Sequence, residues 1–279
     1  MIRFVVSNWV HRFLKEYIDS LVYVLKDASV HIYDPEVDFK NIMLLDGVHV
    51  FVQTPYYTTN KHIYVINTEQ TILPRIKEEI TRNAIALKRG LCDYGANNIS
   101  VMKRYLPYPV DIHYLPYQFN PTEIRGFEKT MNTVFLVGGG WNPGERRRVI
   151  ADKIPDITIL GGEPANHTWG EDRDDVLFRH KVLVNVHTYP DWSTHEVIRT
   201  FRCVFNKMIV VTERSDDDDT NPLRNHMIIV DYEDIPKTVE NVLANYSDYY
   251  NRLFETPEFE SAKEALKLPI LEFKKTVGF

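Results

Sequence analysis

The chain has 279 residues, 44% of them hydrophobic, with a formal net charge of −6; that is enough apolar side chain for one large core or two ordinary ones. The acidic balance argues against a general nucleic-acid binder, which needs a basic field against phosphate. The two cysteines, Cys92 and Cys203, lie far apart in apolar stretches, which fits buried reduced thiols rather than a disulfide framework or a zinc site.

The chain opens with the short apolar run "IRFVVS", a buried parallel strand that ends in the polar Ser7 and Asn8. It lacks the apolar core and cleavage site of a signal peptide, and no run anywhere approaches the roughly 20 apolar residues of a membrane span. The expectation is a cytoplasmic protein with no integral membrane segment. In that compartment the sequons at Asn98, Asn166 and Asn245 carry little meaning.

Residues 11–27 place Phe13, Leu14, Tyr17, Ile18, Leu21, Val22 and Leu25 at three- and four-residue spacings, the apolar face of a crossover helix. Short apolar runs follow at 30–34, 41–45, 48–53 and 62–67, each bounded by Asp, Gly, Pro or Asn, and a helix is expected over 72–89. Strands alternating with helices predict parallel sheets wound in βαβ units.

Around residues 118–132 the pattern lapses into Pro, Asn and charge, longer than a usual loop within one unit. This predicts two Rossmann-like α/β/α domains, 1–125 and 126–279, with a cleft between them. The second half repeats the theme: strand 133–138, helix 144–153, strands at 157–160 and 182–187, helix 194–206 capped by Thr194, strands at 208–213 and 226–231, and one long helix from about 236.

In sheets of this kind ligands bind beyond the carboxyl ends of the strands, so strand-end residues carry the functional information. Gly138, Gly139 and Gly140 follow a strand directly, and Arg146, Arg147 and Arg148 open the next helix. Glycines let a backbone approach a ligand, and a helix N-terminus attracts phosphate. Arginine there is poorly placed for the helix dipole unless an anion offsets it. The spacing matches neither GxGxxG nor GxxxxGK[ST]; a nucleotide-dependent epimerase or oxidoreductase would want GxGxxG near the first strand, and "VVSNWVHRF" lacks it.

A second cluster lies in "VNVHTYPDWSTHEVIRTFRCVFNKMIVVTE". His187 stands at a strand end, Glu196 and Arg199 at i and i+3 in the following helix, and Thr212 and Glu213 at the next strand's end. A carboxylate there can accept both ribose hydroxyls while the arginine reaches phosphate or holds the carboxylate; an ordinary intrahelical ion pair is the plain alternative.

A strand-ending VGGG with nearby arginines, a helix carrying E-x-x-R and then "MIVVTE" resembles the nucleotide-sugar half of GT-B glycosyltransferases. "YVINTEQ", "CDYGANNI" and "HYLPYQFNP" look like the acceptor half. The general style is similar to glycosyltransferases encoded by large algal DNA viruses, a xylosyltransferase among them. The resemblance implies transfer from a nucleotide diphosphate sugar, UDP-sugar favoured and UDP-xylose among the options, to a glycan or glycoprotein acceptor. It also implies no resident cofactor, metal or nucleic-acid partner. The retaining pattern of two glutamates is broken, since Val204 stands eight positions after Glu196, which points to inversion. Glu69 and then Asp93, at strand ends of the first half, are the candidate bases; Asn8, Tyr117 and Gln118 are candidate acceptor contacts.

The acidic runs 172–175 and 215–219 suggest a cation site, but runs of this kind are more often solvated loops. A sugar- or nucleotide-binding module without catalysis stays open as the alternative.

Overall fold

The computed structural model describes residues 1–34, 47–52, 63–69, 76–78, 80–81, 90–107, 109–136, 144–161, 170–191, 194–216 and 218–279. These divide into two compact units: Met1–Asn120 with Ala265–Phe279, and Pro121–Glu264.

The first unit is a six-stranded parallel sheet. Its strands are β1 (Ile2–Ser7), β2 (Ala28–Tyr33), β3 (Val48–Val52), β4 (Ile63–Asn67), β5 (Leu91–Asp93) and β6 (Ile112–Tyr114), in the order β2-β1-β3-β4-β5-β6. The chain therefore reverses direction across the sheet between β1 and β3. Helix α1 (Asn8–Leu25) starts at Ser7, whose hydroxyl accepts from Val10 N at 3.3 Å, a short-side-chain N-cap. It buries Leu14, Tyr17, Ile18, Leu21 and Leu25, the face the periodicity predicts. Tyr17, wholly buried, donates its hydroxyl to Leu115 O at 2.7 Å. Gly47, at φ +115°, lies where a Cβ would stand 2.5 Å from Met1 O, and the next residue ties the start of β3 to β1 through Val48 N to Met1 O at 3.1 Å. Helix α2 (Ala96–Tyr105) follows β5. Of the helix expected over 72–89, the described residues 76–78 and 80–81 are helical; the strand expected at 41–45 lies outside the described residues.

The second unit is a five-stranded parallel sheet of β7 (Met131–Leu136), β8 (Thr158–Leu160), β9 (His180–Asn185), β10 (Ile209–Glu213) and β11 (Ile228–Val230), in the order β11-β10-β9-β7-β8. Here the reversal lies between β7 and β9. Helices α3 (Gly144–Ala151), α4 (Glu171–Leu177) and α5 (Val197–Phe205) are its crossovers.

Two expectations need correction. The C-terminal region is four helices rather than one: α6 (Ile235–Ala244), α7 (Tyr246–Phe254), α8 (Pro257–Ala265) and α9 (Lys267–Thr276). The helix breaks at Asn245, whose side chain turns back onto Asn241 O at 3.0 Å. It breaks again before Pro257, which has no N–H to continue a helix and so begins one. The last of the four also packs on the first unit, although the sequence reading places 126–279 together. Phe273 sits edge-on to Tyr64 at 5.3 Å and to His113 at 5.1 Å, and the Gln118 amide donates to Leu266 O at 2.9 Å.

The first acidic run is neither a cation site nor a solvated loop. Asp174, buried on α4, receives both Nη atoms of Arg202 from α5, at 3.0 and 2.7 Å, and Arg173 at 2.9 Å, while Asp172 and Asp175 face solvent. Removing one member of a buried ionic group strands the other charge. Asp174→Ala, which removes the carboxylate that both arginines share, should therefore lower the unfolding free energy by about 3–5 kcal/mol, read by denaturant titration; a loss below about 1 kcal/mol would show that α4 and α5 do not depend on the ionic group.

Candidate functional site

At the carboxyl edge of the second sheet, beside its reversal point, three arginines converge on two carboxylates. Their backbones come from three directions. Arg146 and Arg147 lie in the first turn of α3, Glu196 directly precedes α5 with Arg199 one turn further on, and Glu213 ends β10.

Arg146 grips Glu213 with both Nη atoms, at 2.6 and 3.1 Å, and donates to His187 O at 3.2 Å. Its guanidinium lies 4.2 Å over the Tyr232 ring, and the Tyr232 hydroxyl donates to Arg146 O at 2.8 Å. Arg147, buried, donates through Nε to Val186 O at 2.8 Å and through Nη2 to Glu196 Oε1 at 2.9 Å. Arg199 pairs with the other Glu196 oxygen and donates to Asn185 Oδ1 at 3.1 Å. Asn185 in turn donates to the buried Thr212 hydroxyl at 3.0 Å, so Thr212 orients the amide that orients Arg199. Arg148 is exposed, as a residue one step round the helix from Arg147 should be.

The charges are not balanced. Among the described residues three guanidinium groups face two carboxylates within this cluster, an excess of one positive charge. Burial lowers the Arg147 guanidinium to about 10, with Arg199 acting in the same direction and Glu196 opposing; it remains charged at neutral pH. Burial alone would raise Glu196, but Arg199 and Arg147 outweigh it and hold the carboxyl below its ordinary value. A fork of this kind keeps a carboxylate ionised and aimed.

His187 closes the cluster from below. Its backbone N donates to Glu213 Oε2 at 3.0 Å, and its Nε2 lies 3.2 Å from Arg214 O and 3.1 Å from the Ser215 hydroxyl. Its buried Nδ1 has no partner among the described residues. Asp218, from the second acidic run, accepts from Ser215 N at 2.9 Å and so folds that loop against His187. His195, next to Glu196, is pushed down to about 4 by burial; its Nε2 meets the Thr200 hydroxyl at 2.7 Å.

The structure thus brings together Arg146, Arg147, His187, Glu196, Arg199, Thr212 and Glu213. Thr194 is not the cap of α5: Glu196 holds that position, without a side-chain cap bond. Gly138, Gly139 and Gly140 lie outside the described residues. Asn185 and Tyr232 were not singled out in the sequence. The visible signal for Asn185 is one polar residue in the otherwise apolar run "VLVNV".

In the first unit the strand-end carboxylates form a different kind of group. Asp93 ends β5 wholly buried and accepts from Asn67 Nδ2 at 2.6 Å, Gly95 N at 2.7 Å and Asn98 Nδ2 at 3.1 Å. The same two amides donate to Glu69 O, at 2.7 and 3.0 Å. Asp93 therefore pins the loop that presents the exposed Glu69 side chain. Asn8 is exposed at the end of β1. Tyr117 and Gln118, expected to shape an acceptor pocket, are buried instead. Tyr117 packs near Tyr17 at 6.1 Å, and the Gln118 amide bridges Pro116 O and Leu266 O, because a chain leaving β6 must be fastened beneath the C-terminal helix.

Among the described residues no group of three His, Cys, Asp or Glu side chains is placed to hold a metal ion, and no helix is long and apolar enough to cross a membrane.

No family model matches the chain. Relatives in sequence include uncharacterized proteins of Acanthamoeba polyphaga mimivirus: one is 27% identical, over 89% of this chain and 82% of its own length, and another 23% identical over 90% of each. Of a third, 27% identical, the chain spans only 36%. Among solved structures it is similar to sucrose-phosphate synthase from Thermosynechococcus elongatus (TM-score 0.61, 10% identity, 99% of each chain covered). It is also similar to T4 phage BGT in complex with its UDP-glucose substrate (0.57, 11%, 100% of each). Anabaena HepE in complex with UDP-glucose gives 0.59 at 7% identity, over 98% of this chain and 99% of that one. The fold is that of the GT-B glycosyltransferases, two parallel-sheet α/β domains.

Burial raises Asp93 to about 7, against the lowering effect of its hydrogen bonds from Asn67, Gly95 and Asn98. An unfolded aspartate has the lower value, so the folded state binds the extra proton between about pH 4 and pH 7, and stability falls as pH rises through that window. Comparing unfolding free energies at pH 5 and pH 8, Asp93→Asn should show a smaller decline than the native chain. An equal decline in both would show that Asp93 does not carry the proton.

Proposed function

We propose that this chain is a glycosyltransferase that takes its sugar from a nucleoside diphosphate, a UDP-sugar, and transfers it with inversion to a glycan or glycoprotein acceptor. The observation that carries the reading is the net positive fork at the carboxyl edge of the second sheet, where Arg147 and Arg199 hold Glu196 from either side. The glycosyltransferase fold and the UDP-glucose complexes of similar structures support it.

In this reading each Glu196 oxygen, already receiving one arginine, accepts one ribose hydroxyl on a remaining lone pair. The diphosphate lies against N–H groups of Arg146 and Arg199 not engaged by Glu213, Glu196 or Asn185, with His187 Nδ1 directed to the same anion. The guanidinium groups supply the countercharge as the bond from anomeric carbon to phosphate oxygen breaks, a step in which preorganised donors act most strongly, so no divalent cation is required. Glu69 takes the proton from the acceptor hydroxyl as its oxygen attacks the anomeric carbon. Asp93 is the positioning residue behind it. The nucleoside diphosphate leaves with the electron pair.

A thermal-shift series with UDP, GDP, CDP and the UDP conjugates of glucose, N-acetylglucosamine and xylose tests this. A ligand at 100 times its dissociation constant should add about 2.7 kcal/mol. UDP and one conjugate should raise the melting temperature of the native chain, and Glu196→Ala or Arg199→Ala should remove the shift. Glu69→Gln should keep the shift while abolishing sugar transfer. No shift with any diphosphate nucleotide would overturn the reading; a shift without transfer to any glycan would leave a binding module.

A further inference from the structure

We infer that Trp9 is the sugar-stacking platform of an acceptor site on the first unit, a refinement that rests on the proposed glycosyltransferase reading.

In a doubly wound sheet the crevice for a ligand opens at the carboxyl edge where strand order reverses. In the first unit that place lies between β1 and β3, and the residues that emerge from β1 there are Asn8 and Trp9. Trp9 is 64% exposed. It lies in the first turn of an eighteen-residue helix, and its ring meets Phe13 edge-on, 4.9 Å between centroids at 72°. That contact holds one side of the indole on the helix while leaving surface to solvent.

An indole left largely in solvent at the ligand-facing edge of the sheet offers a wide apolar face with a polar N–H at its rim. A tryptophan held this way beside a polar side chain is suited to a ligand with one apolar face and a rim of hydroxyls, which is a pyranose. Asn8, exposed alongside it, can donate to and accept from such hydroxyls.

The same edge carries the proposed base. Strands in a sheet are about 4.8 Å apart, so β4, two places from β1, ends roughly 10 Å away. A glycan lying along this edge, with one ring on Trp9, would bring another toward Glu69. The acceptor class this implies is an oligosaccharide, or a glycan already attached to protein, rather than a lone monosaccharide or a bare side chain.

The test uses the full chain grown with 5-fluorotryptophan, in which the Trp9 resonance is identified by its absence in Trp9→Phe. It is titrated with methyl glycosides of glucose, galactose, mannose, N-acetylglucosamine and xylose and with their β-linked disaccharides. The expected result is that a disaccharide moves the Trp9 resonance at lower concentration than its monosaccharide. Trp9→Ala should weaken its binding about tenfold, the scale of one aromatic stack, and Trp9→Phe should restore most of it. The melting-temperature shift with UDP, read on the same variants, checks the fold of the other unit and should not change. Unaltered disaccharide affinity in Trp9→Ala, or no movement of the Trp9 resonance with any sugar, overturns the inference even where UDP still binds. Absence of a UDP shift in the native chain fails the glycosyltransferase reading instead.

Discussion

The second unit is organised around a buried imbalance of charge. Three guanidinium groups and two carboxylates share one edge of the sheet, largely out of water, and each carboxylate is held by arginine. Buried ion pairs add little net stability over apolar packing, but removing one partner leaves a stranded charge. The fork therefore acts as a constraint. Arg147 is satisfied only if α3, the segment after β9 and the start of α5 meet in one register, because its donors go to Val186 O and to Glu196. Among the described residues the third guanidinium has no carboxylate of its own in the cluster, which is what the proposed diphosphate would supply.

The first unit places its polar residues differently. There the carboxylate of Asp93 is buried, among the described residues without a cation beside it, and is surrounded by amide donors. Its value moves toward neutrality rather than downward, and its structural effect is to fix the Glu69 loop. One unit thus gathers arginines around its strand-end carboxylates and the other surrounds a buried strand-end aspartate with amide donors, a difference that follows from which strand ends carry arginine and which carry asparagine and aspartate.

Much of this was legible in the sequence because it depends on local pattern. The alternation of strands and helices, the strand-end positions of His187, Thr212 and Glu213, and the i and i+3 spacing of Glu196 and Arg199 need no tertiary knowledge. What the pattern does not contain is pairing at long range. Nothing near Arg147 in sequence says that its partner is Glu196, or that Asp174 in an acidic run will be buried under Arg202. Gln118 reads as a polar residue in a linker, yet its amide ends beneath Leu266, because the last helix crosses to the first unit. Trp9 went unremarked for the opposite reason: an aromatic residue in an apolar stretch reads as core, and only the structure shows its ring in solvent.

The claim on which the account turns is that the arginine fork holds a nucleoside diphosphate, and the most direct measurement is a crystal structure of the chain with UDP. The account predicts the ribose hydroxyls on Glu196 and the diphosphate oxygens within hydrogen-bonding distance of Arg146 and Arg199, with His187 Nδ1 turned to the same group. UDP bound elsewhere, or no bound nucleotide at saturating concentration with both carboxylates still held as they are here, would contradict it.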